Sequence, residues 1–349
     1  AYENAGIELR LGTHVRAIDR TARQVLLDDG SALAYTRLAL CTGGRARALD
    51  VPGMEGKAPP NLFSLRTQAD AIAIAASMRE GTRLVIIGAG YVGLEVAASA
   101  RKLGAAVTVL EAQPRVLARV TGATLSGFYE SVHREAGVDV RTGASVRAIE
   151  RDTTGAATAV VCGDGERLPA DVVIVGIGMW ADTTLAEAAG LRVEGGIVVD
   201  EHLVSSDPDI VAAGDCTVHD SALYGRRVRL ESVPNALEQA RAAAGWLCAK
   251  PRPNQAVPWF WSDQYDLKLQ MTGLVDGHDQ CVVRGSLVER SFCAFYLRAG
   301  RVIAVDAVNR PGDFMLARKA VAAGVFADPQ ALADSTVSLK DLLAVATPA

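Results

Sequence analysis

The sequence predicts a mixed α/β fold, and three observations carry that prediction. Residues 84–87, LVII, form the short apolar run of a strand buried on both faces, and Gly88, Gly90 and Gly93 follow as G-x-G-x-x-G before an alanine-rich helical stretch. A second strand, residues 107–110, ends in Glu111, which lies 111 − 90 = 21 positions past the middle glycine. Residues 258–298 then alternate in β fashion, followed by a strand at 302–308 and a helix at 314–325, as a separate α+β region would. The glycines have a physical reading. The first allows a tight strand-to-helix turn, the second lets backbone approach a pyrophosphate, and the third lets helix and strand pack closely. The helix N-terminus presents unpaired N–H groups to the anion, and an acid at the Glu111 spacing takes ribose hydroxyls. The competing reading is a glycine-rich turn that holds no ligand.

Length and composition bound the rest. With 349 residues, half of them hydrophobic and 22% charged, the chain is long enough for two or three domains of about 100–200 residues. A formal net charge of −4 argues against a general nucleic-acid or membrane-surface binder. Apolar runs such as 172–177 fall short of the roughly 18–20 residues that cross a bilayer. Six cysteines (Cys41, Cys162, Cys216, Cys248, Cys281 and Cys293) are scattered singly without a C-x-x-C pair, so neither a zinc site nor a local dithiol is written. Reduced thiols and a cytoplasmic location are expected.

Taken in order, residues 7–11 and 14–19 read as strands, and 24–31 as a hairpin turning at Asp29-Gly30. Residues 37–40 read as a buried strand ending in Thr42-Gly43-Gly44, either a close approach to a ligand or an ordinary glycine turn. A connecting segment rich in proline and glycine leads to a helix at 67–79 and then to the strand-loop-helix unit around Gly88. A helix at 126–135 follows, then paired strands at 138–146 and 157–161 and a buried strand ahead of Gly178. Beyond Gly178 the chain re-enters the first domain, with strands near 196–200 and 209–213. Gly214-Asp215 closes the latter and reads as an acid accepting from ligand hydroxyls or as a cap. A helix at 235–248 stops before Pro251 and Pro253, and a short helix at 338–346 ends the reading.

Several of these motifs together resemble a family. GAGYVGLE at 88–95, Gly214-Asp215 and Thr42-Gly43-Gly44 occur in the order of the glutathione-reductase-like two-dinucleotide flavoproteins. ESVPNALEQAR at 231–241 and PWFWSDQY at 258–265 are similar to the FAD-dependent ferredoxin reductases that serve bacterial haem monooxygenases. The resemblance implies two Rossmann-like three-layer dinucleotide-binding domains and a C-terminal α+β domain. The FAD domain is discontinuous, at 1–46 and 179–254, with the NAD domain at 47–178 inserted and the C-terminal domain at 255–349. It also implies that about seventy residues, including the FAD domain's own glycine loop and a lysine near the flavin, precede Ala1. A chain lacking them is expected to bind FAD poorly.

Carried over by position, the resemblance assigns FAD to Val15, Thr42, Gly43, Arg66, Gly214, Asp215, Val233 and Trp261. NADH falls to Gly88, Gly90, Gly93, Glu111 and Gly178, with Glu95 near the nicotinamide carboxamide and Tyr91 at the flavin face. Tyr91 and Glu95 are thus the candidate catalytic pair, although residues alone read them as turn and helix surface. Glu111 favours NADH by repelling a 2′-phosphate, a preference that Arg115 nearby softens. The implied chemistry is hydride transfer from NADH to FAD and single-electron transfer to a 2Fe–2S ferredoxin. That partner is expected to dock transiently and electrostatically on Arg241, Lys268, Arg310 and Lys340, with Trp259 and Trp261 near the electron exit. The alternative reading of these side chains is solvated surface and core packing. A monomer or weak homodimer without a metal is expected. Two rival functions remain: an NADH-dependent disulfide or peroxide reductase, and a signalling flavoprotein resembling apoptosis-inducing factor.

Overall fold

The computed structural model describes residues 2–344, and the chain divides into two compact units. One comprises Ala1–Gly44 and Trp180–Ala256, the other Arg45–Met179 and Val257–Ala349.

In the first unit, strands Val15–Asp19, Gln24–Leu27 and Ala32–Ala34 form an antiparallel sheet. Its tight turn has a local cause: the Asp29 carboxylate accepts from the Ser31 amide at 2.8 Å and hydroxyl at 2.6 Å, and Gly30 takes φ 84°. Residues 7–11, expected as a strand, form none. Ile7, Leu9 and Leu11 are exposed, so alternation there buries no face that would hold a strand in register. Strand Leu38–Leu40 pairs in parallel with Ile210–Ala212. Residues 41–44 and 213–215 therefore leave the pair at the same end, where open α/β sheets take their ligands. Ile197–Val199, Thr217–Ser221 and Arg226–Val228 make a further small sheet. Helix Val233–Leu247 begins two residues before the sequence reading, because Ser232 caps it by accepting from the Asn235 amide and Pro234 fits the first turn. Ala242 and Ala243 bury the helix against Ile197, Leu203, Ile210 and Ala212.

The second unit holds a parallel sheet in the order Leu62–Phe63, Val172–Val175, Arg83–Ile87, Ala106–Glu111, Asp139–Thr142. Helix Tyr91–Lys102 packs on it through Leu94, Ala97 and Ala100, and helix Ala123–Glu135 through Leu125, Phe128, Tyr129 and Val132. The expected single strand over 138–146 is two strands. Gly143, at φ 65°, breaks it, so Asp139–Thr142 joins the parallel sheet. The antiparallel partner of Ala157–Cys162 is Val146–Arg151 instead. Short elements at Arg167–Pro169 and Thr184–Ala188 lacked a periodic signal long enough to be read.

The C-terminal part of this unit is a five-stranded antiparallel sheet in the order Trp259–Gln264, Leu267–Gly273, Arg301–Val308, Ser291–Arg298, Gln280–Ser286. Period-two alternation decides its faces. Cys293, Phe295, Leu297 and Val305 meet helix Pro311–Ala323, whereas Leu267, Leu269, Met271 and Phe292 share a core with Leu94, Phe128 and Tyr129. The last helix spans Leu339–Leu342; residues 345–346 of the expected helix lie outside the described residues.

Candidate functional site

The glycine loop follows strand Arg83–Ile87 as its buried run requires. A Cβ on Gly88 would stand 2.4 Å from the Gly176 carbonyl, and one on Gly93 would stand 2.1 Å from the Gly88 carbonyl, so neither position admits a side chain. Gly90 differs. It is the N-cap of helix Tyr91–Lys102, no side chain caps that helix, and a Cβ there would meet nothing within 4 Å. Open space in front of uncapped N–H groups is the cradle a pyrophosphate needs, so these residues fit a dinucleotide. Glu111 terminates the neighbouring strand. One carboxylate oxygen accepts from the Ala89 amide at 2.7 Å and the other from the Gln113 amide at 2.8 Å. The Glu111 carboxylate is thereby fixed against the glycine loop.

Arg115 is committed to neighbouring groups of its own loop and the helix that follows. Its guanidinium donates to the Thr121 carbonyl at 2.7 Å, the Ser126 hydroxyl at 2.6 Å and the Ala118 carbonyl at 2.9 Å. Gly178, at φ 104°, accepts at its carbonyl from the Arg47 amide at 2.9 Å and lies close to the Arg119 guanidinium.

Tyr91 opens the same helix. Its hydroxyl lies 2.7 Å from the Met271 sulfur and its ring 4.7 Å from that of Phe260, so the C-terminal sheet sets its rotamer. Glu95 lies one turn further and is half-buried. It accepts from the Ser262 hydroxyl at 2.5 Å. Burial pushes its carboxyl above the usual range; the Ser262 bond opposes that rise and the Asp263 carboxylate adds to it. Ser262 lies inside the PWFWSDQY stretch, but sequence reasoning gave it no role. A small polar residue between aromatics on a strand was the available signal.

In the first unit, Thr42 and Gly43 follow strand Leu38–Leu40, while Gly214 and Asp215 follow Ile210–Ala212. The Thr42 hydroxyl donates to the Asp182 carbonyl at 2.6 Å, and the Asp182 amide donates to the Gly43 carbonyl at 2.9 Å. The Gly214 amide donates to Gln239 Oε1 at 2.7 Å, which also accepts from the Thr217 hydroxyl at 2.9 Å. Gln239 was missed by the sequence reading. As a fully buried glutamine within an alanine-rich helix, it ties the helix bearing Val233 to the Gly214 turn. Val233 itself is 59% exposed at the helix start, and Val15 begins the first strand. Two glycine-containing turns leave paired strands at the same end, and the half-buried Asp215 lies in the turn between strands Ile210–Ala212 and Thr217–Ser221, not ahead of a helix. This arrangement fits the ribityl and phosphate parts of a flavin nucleotide. Arg66, just before helix Gln68–Ser77, and Trp261 belong to the second unit.

The candidate docking residues are divided as well. Arg241, in the first unit, is paired with Glu238 at 2.6 Å. In the second unit Arg310 is paired with Asp313 at 2.8 Å, and Lys268 and Lys340 are exposed. Lys268 exchanges backbone and side-chain bonds with Asn309, next to Arg310. Trp259 packs on Phe314 beneath the Arg318 guanidinium, and Trp261, 39% exposed, lies 5.7 Å from it.

Comparison with known proteins matches residues 2–240 to the pyridine nucleotide-disulphide oxidoreductase family and residues 259–343 to a reductase C-terminal domain. Putidaredoxin reductase CamA of Pseudomonas putida is 51% identical over 348 residues, 99% of this chain and 82% of that protein. The 5,5'-dehydrodivanillate O-demethylase ferredoxin reductase subunit of a Sphingobium species is 46% identical over 98% of this chain and 83% of its own length. Among solved structures, the covalent putidaredoxin reductase–putidaredoxin complex superposes with a TM-score of 0.94 at 50% identity, covering 98% of this chain and 82% of that one.

Proposed function

Because the chain belongs to the pyridine nucleotide-disulphide oxidoreductase family, whose members use FAD and NAD(H), we propose that it is an NADH-dependent ferredoxin reductase of an oxygenase system. The observation that carries this reading is one compact unit in which an open dinucleotide cradle, Gly88–Gly93 with Glu111, is joined through Glu95 and Ser262 to a reductase C-terminal sheet. The relatives named as ferredoxin reductases support the acceptor, a 2Fe–2S ferredoxin. When bound, FAD supplies the conversion of a two-electron donor into single-electron steps.

This chain's residues position and select. Gly88, Gly90 and Gly93 admit the coenzyme's pyrophosphate to the helix N-terminus, and Glu111 takes the ribose hydroxyls. Arg115 is committed to internal carbonyls and is not offered to a 2′-phosphate, which supports NADH over NADPH. We assign Glu95 to the nicotinamide carboxamide and Tyr91 to shielding the reacting face from water, with Gly178 beside the coenzyme. Val15, Thr42, Gly43, Gly214, Asp215 and Val233 are assigned to FAD, and Arg66 and Trp261 to the same cofactor by resemblance. Lys268 and Lys340 are the favoured docking cations, since Arg241 and Arg310 are already paired. The six free thiols fit a cytoplasmic protein. Among the described residues, no helix is long and apolar enough to cross a membrane.

A cytochrome c assay with and without added 2Fe–2S ferredoxin tests the proposal. Reduction that depends on ferredoxin and on NADH is expected. Equal rates without ferredoxin, or electrons delivered only to disulfides, would favour the disulfide-reductase alternative.

A further inference from the structure

Behind Glu95, side chains from both domains of the second unit are linked in an unbroken row. Tyr265 Oη lies 3.1 Å from His133 Nδ1, and His133 Nε2 lies 2.9 Å from Gln264 Oε1. Gln264 Nε2 lies 3.1 Å from Ser262 Oγ, which is 2.5 Å from Glu95 Oε1. His133 and Ser262 are 0% exposed and Gln264 is 1% exposed, so water does not substitute for any of these partners.

Chemistry fixes the direction of every bond. An ionised Glu95 only accepts, so Ser262 gives it its single proton. Ser262 must then accept from Gln264, which turns the amide nitrogen toward Ser262 and the amide oxygen toward His133. That oxygen needs a donor, so His133 is protonated at Nε2. Burial lowers the imidazole's proton affinity and keeps it neutral, which leaves Nδ1 to accept from Tyr265. Burial pushes the Tyr265 phenol up to about 12, so it remains a donor. All four donors point toward one carboxylate.

We infer that Tyr265, His133, Gln264 and Ser262 form a directed hydrogen-bond chain that fixes and polarises the Glu95 carboxylate for the coenzyme's carboxamide, which makes them positioning residues. Aligned hydrogen bonds reinforce one another in a low-dielectric interior, so the carboxylate feels the whole row rather than Ser262 alone. The chain is not a proton wire. The Gln264 amide transmits a dipole but passes no proton in its ordinary tautomer. Two features oppose the carboxylate's charge, its burial and the nearby Asp263, with the Tyr91 and Tyr129 phenols facing the same region. The row offsets them. The carboxamide contact rests on the assignment of Glu95 made above; the chain itself does not.

The test is a ¹³C-carboxyl titration of Glu95, together with NADH kinetics, in Ser262→Ala, Gln264→Met and Tyr265→Phe. The Glu95 midpoint should move to higher pH in all three, most in Ser262→Ala and least in Tyr265→Phe. The KM for NADH should rise roughly 3- to 10-fold in Gln264→Met while kcat at saturating NADH changes less. Tyr265→Phe removes one oxygen at the half-buried end and keeps the test available if a core variant does not fold. An unshifted Glu95 midpoint in the folded variants would overturn the inference. A shifted midpoint combined with a Glu95→Gln protein of unchanged KM would instead keep the chain and refute the carboxamide assignment.

Discussion

Glu111 shows how one carboxylate can serve two ends. It braces the glycine loop through the Ala89 amide, and by the coenzyme assignment proposed above its charge would repel a 2′-phosphate. Replacing Glu111 by Ser should therefore lower the preference for NADH over NADPH about tenfold or more, measured as the ratio of kcat/KM values. An unchanged ratio would remove Glu111 from coenzyme selection. Asp306 makes a different kind of prediction. It is buried with both Thr121 and Tyr296 donating to the same oxygen, and burial raises its carboxyl to about 6 despite those donors and the nearby His278. A raised carboxyl contributes stability that is fully present below its unfolded value, near 4, and is lost as pH rises through about 6. Asp306→Asn should cancel that component. The difference in unfolding free energy between the two proteins should shift by on the order of 3 kcal/mol between pH 3.5 and 7.5, in favour of the variant at the higher pH. A flat difference would contradict the assignment.

Among elements, the strand-loop-helix unit around Gly88 was legible because three constraints coincide within it: a strand buried from Leu84 to Ile87, two sterically closed glycines and an open one. Gly93→Ala tests the closed kind. Its Cβ would meet backbone, which cannot yield as a side-chain tip can, so a loss of about 1–3 kcal/mol in stability and weaker NADH binding are expected by denaturant unfolding and titration. Helix Val233–Leu247 tests the capping argument. Ser232→Ala should cost about 1 kcal/mol in the same unfolding measurement. Local pattern misled where its consequence was not local. Residues 7–11 alternate as a strand does, yet their apolar side chains are exposed. At 138–146 the alternation was real, but one glycine at positive φ sends its two halves to different sheets.

Over the molecule as a whole, the order of motifs implied by resemblance that one dinucleotide domain interrupts another, and the tail's aromatic stretch pointed to the family. Other features depend on contacts between residues far apart in sequence. The Glu95–Ser262 bond spans 167 positions and the Thr121–Tyr296 contact 175, and no periodicity within either segment announces them. Charge is legible only as a sum, and the structure changes its weight by pairing Arg241 and Arg310 internally. Ferredoxin reduction should accordingly slow as salt is raised, and Lys268→Glu or Lys340→Glu should reduce both the rate and its salt dependence, whereas Arg241→Glu should matter less. Insensitivity to all three reversals would dismiss this surface. The central claim is that electrons enter from NADH through a bound flavin and leave singly to an iron–sulfur protein. Anaerobic rapid mixing of the FAD-loaded protein with NADH, followed by a 2Fe–2S ferredoxin, tests it most directly. NADH should bleach the flavin absorbance, and added ferredoxin should restore it as the cluster is reduced; flavin that bleaches but is reoxidised only by a disulfide would contradict the claim.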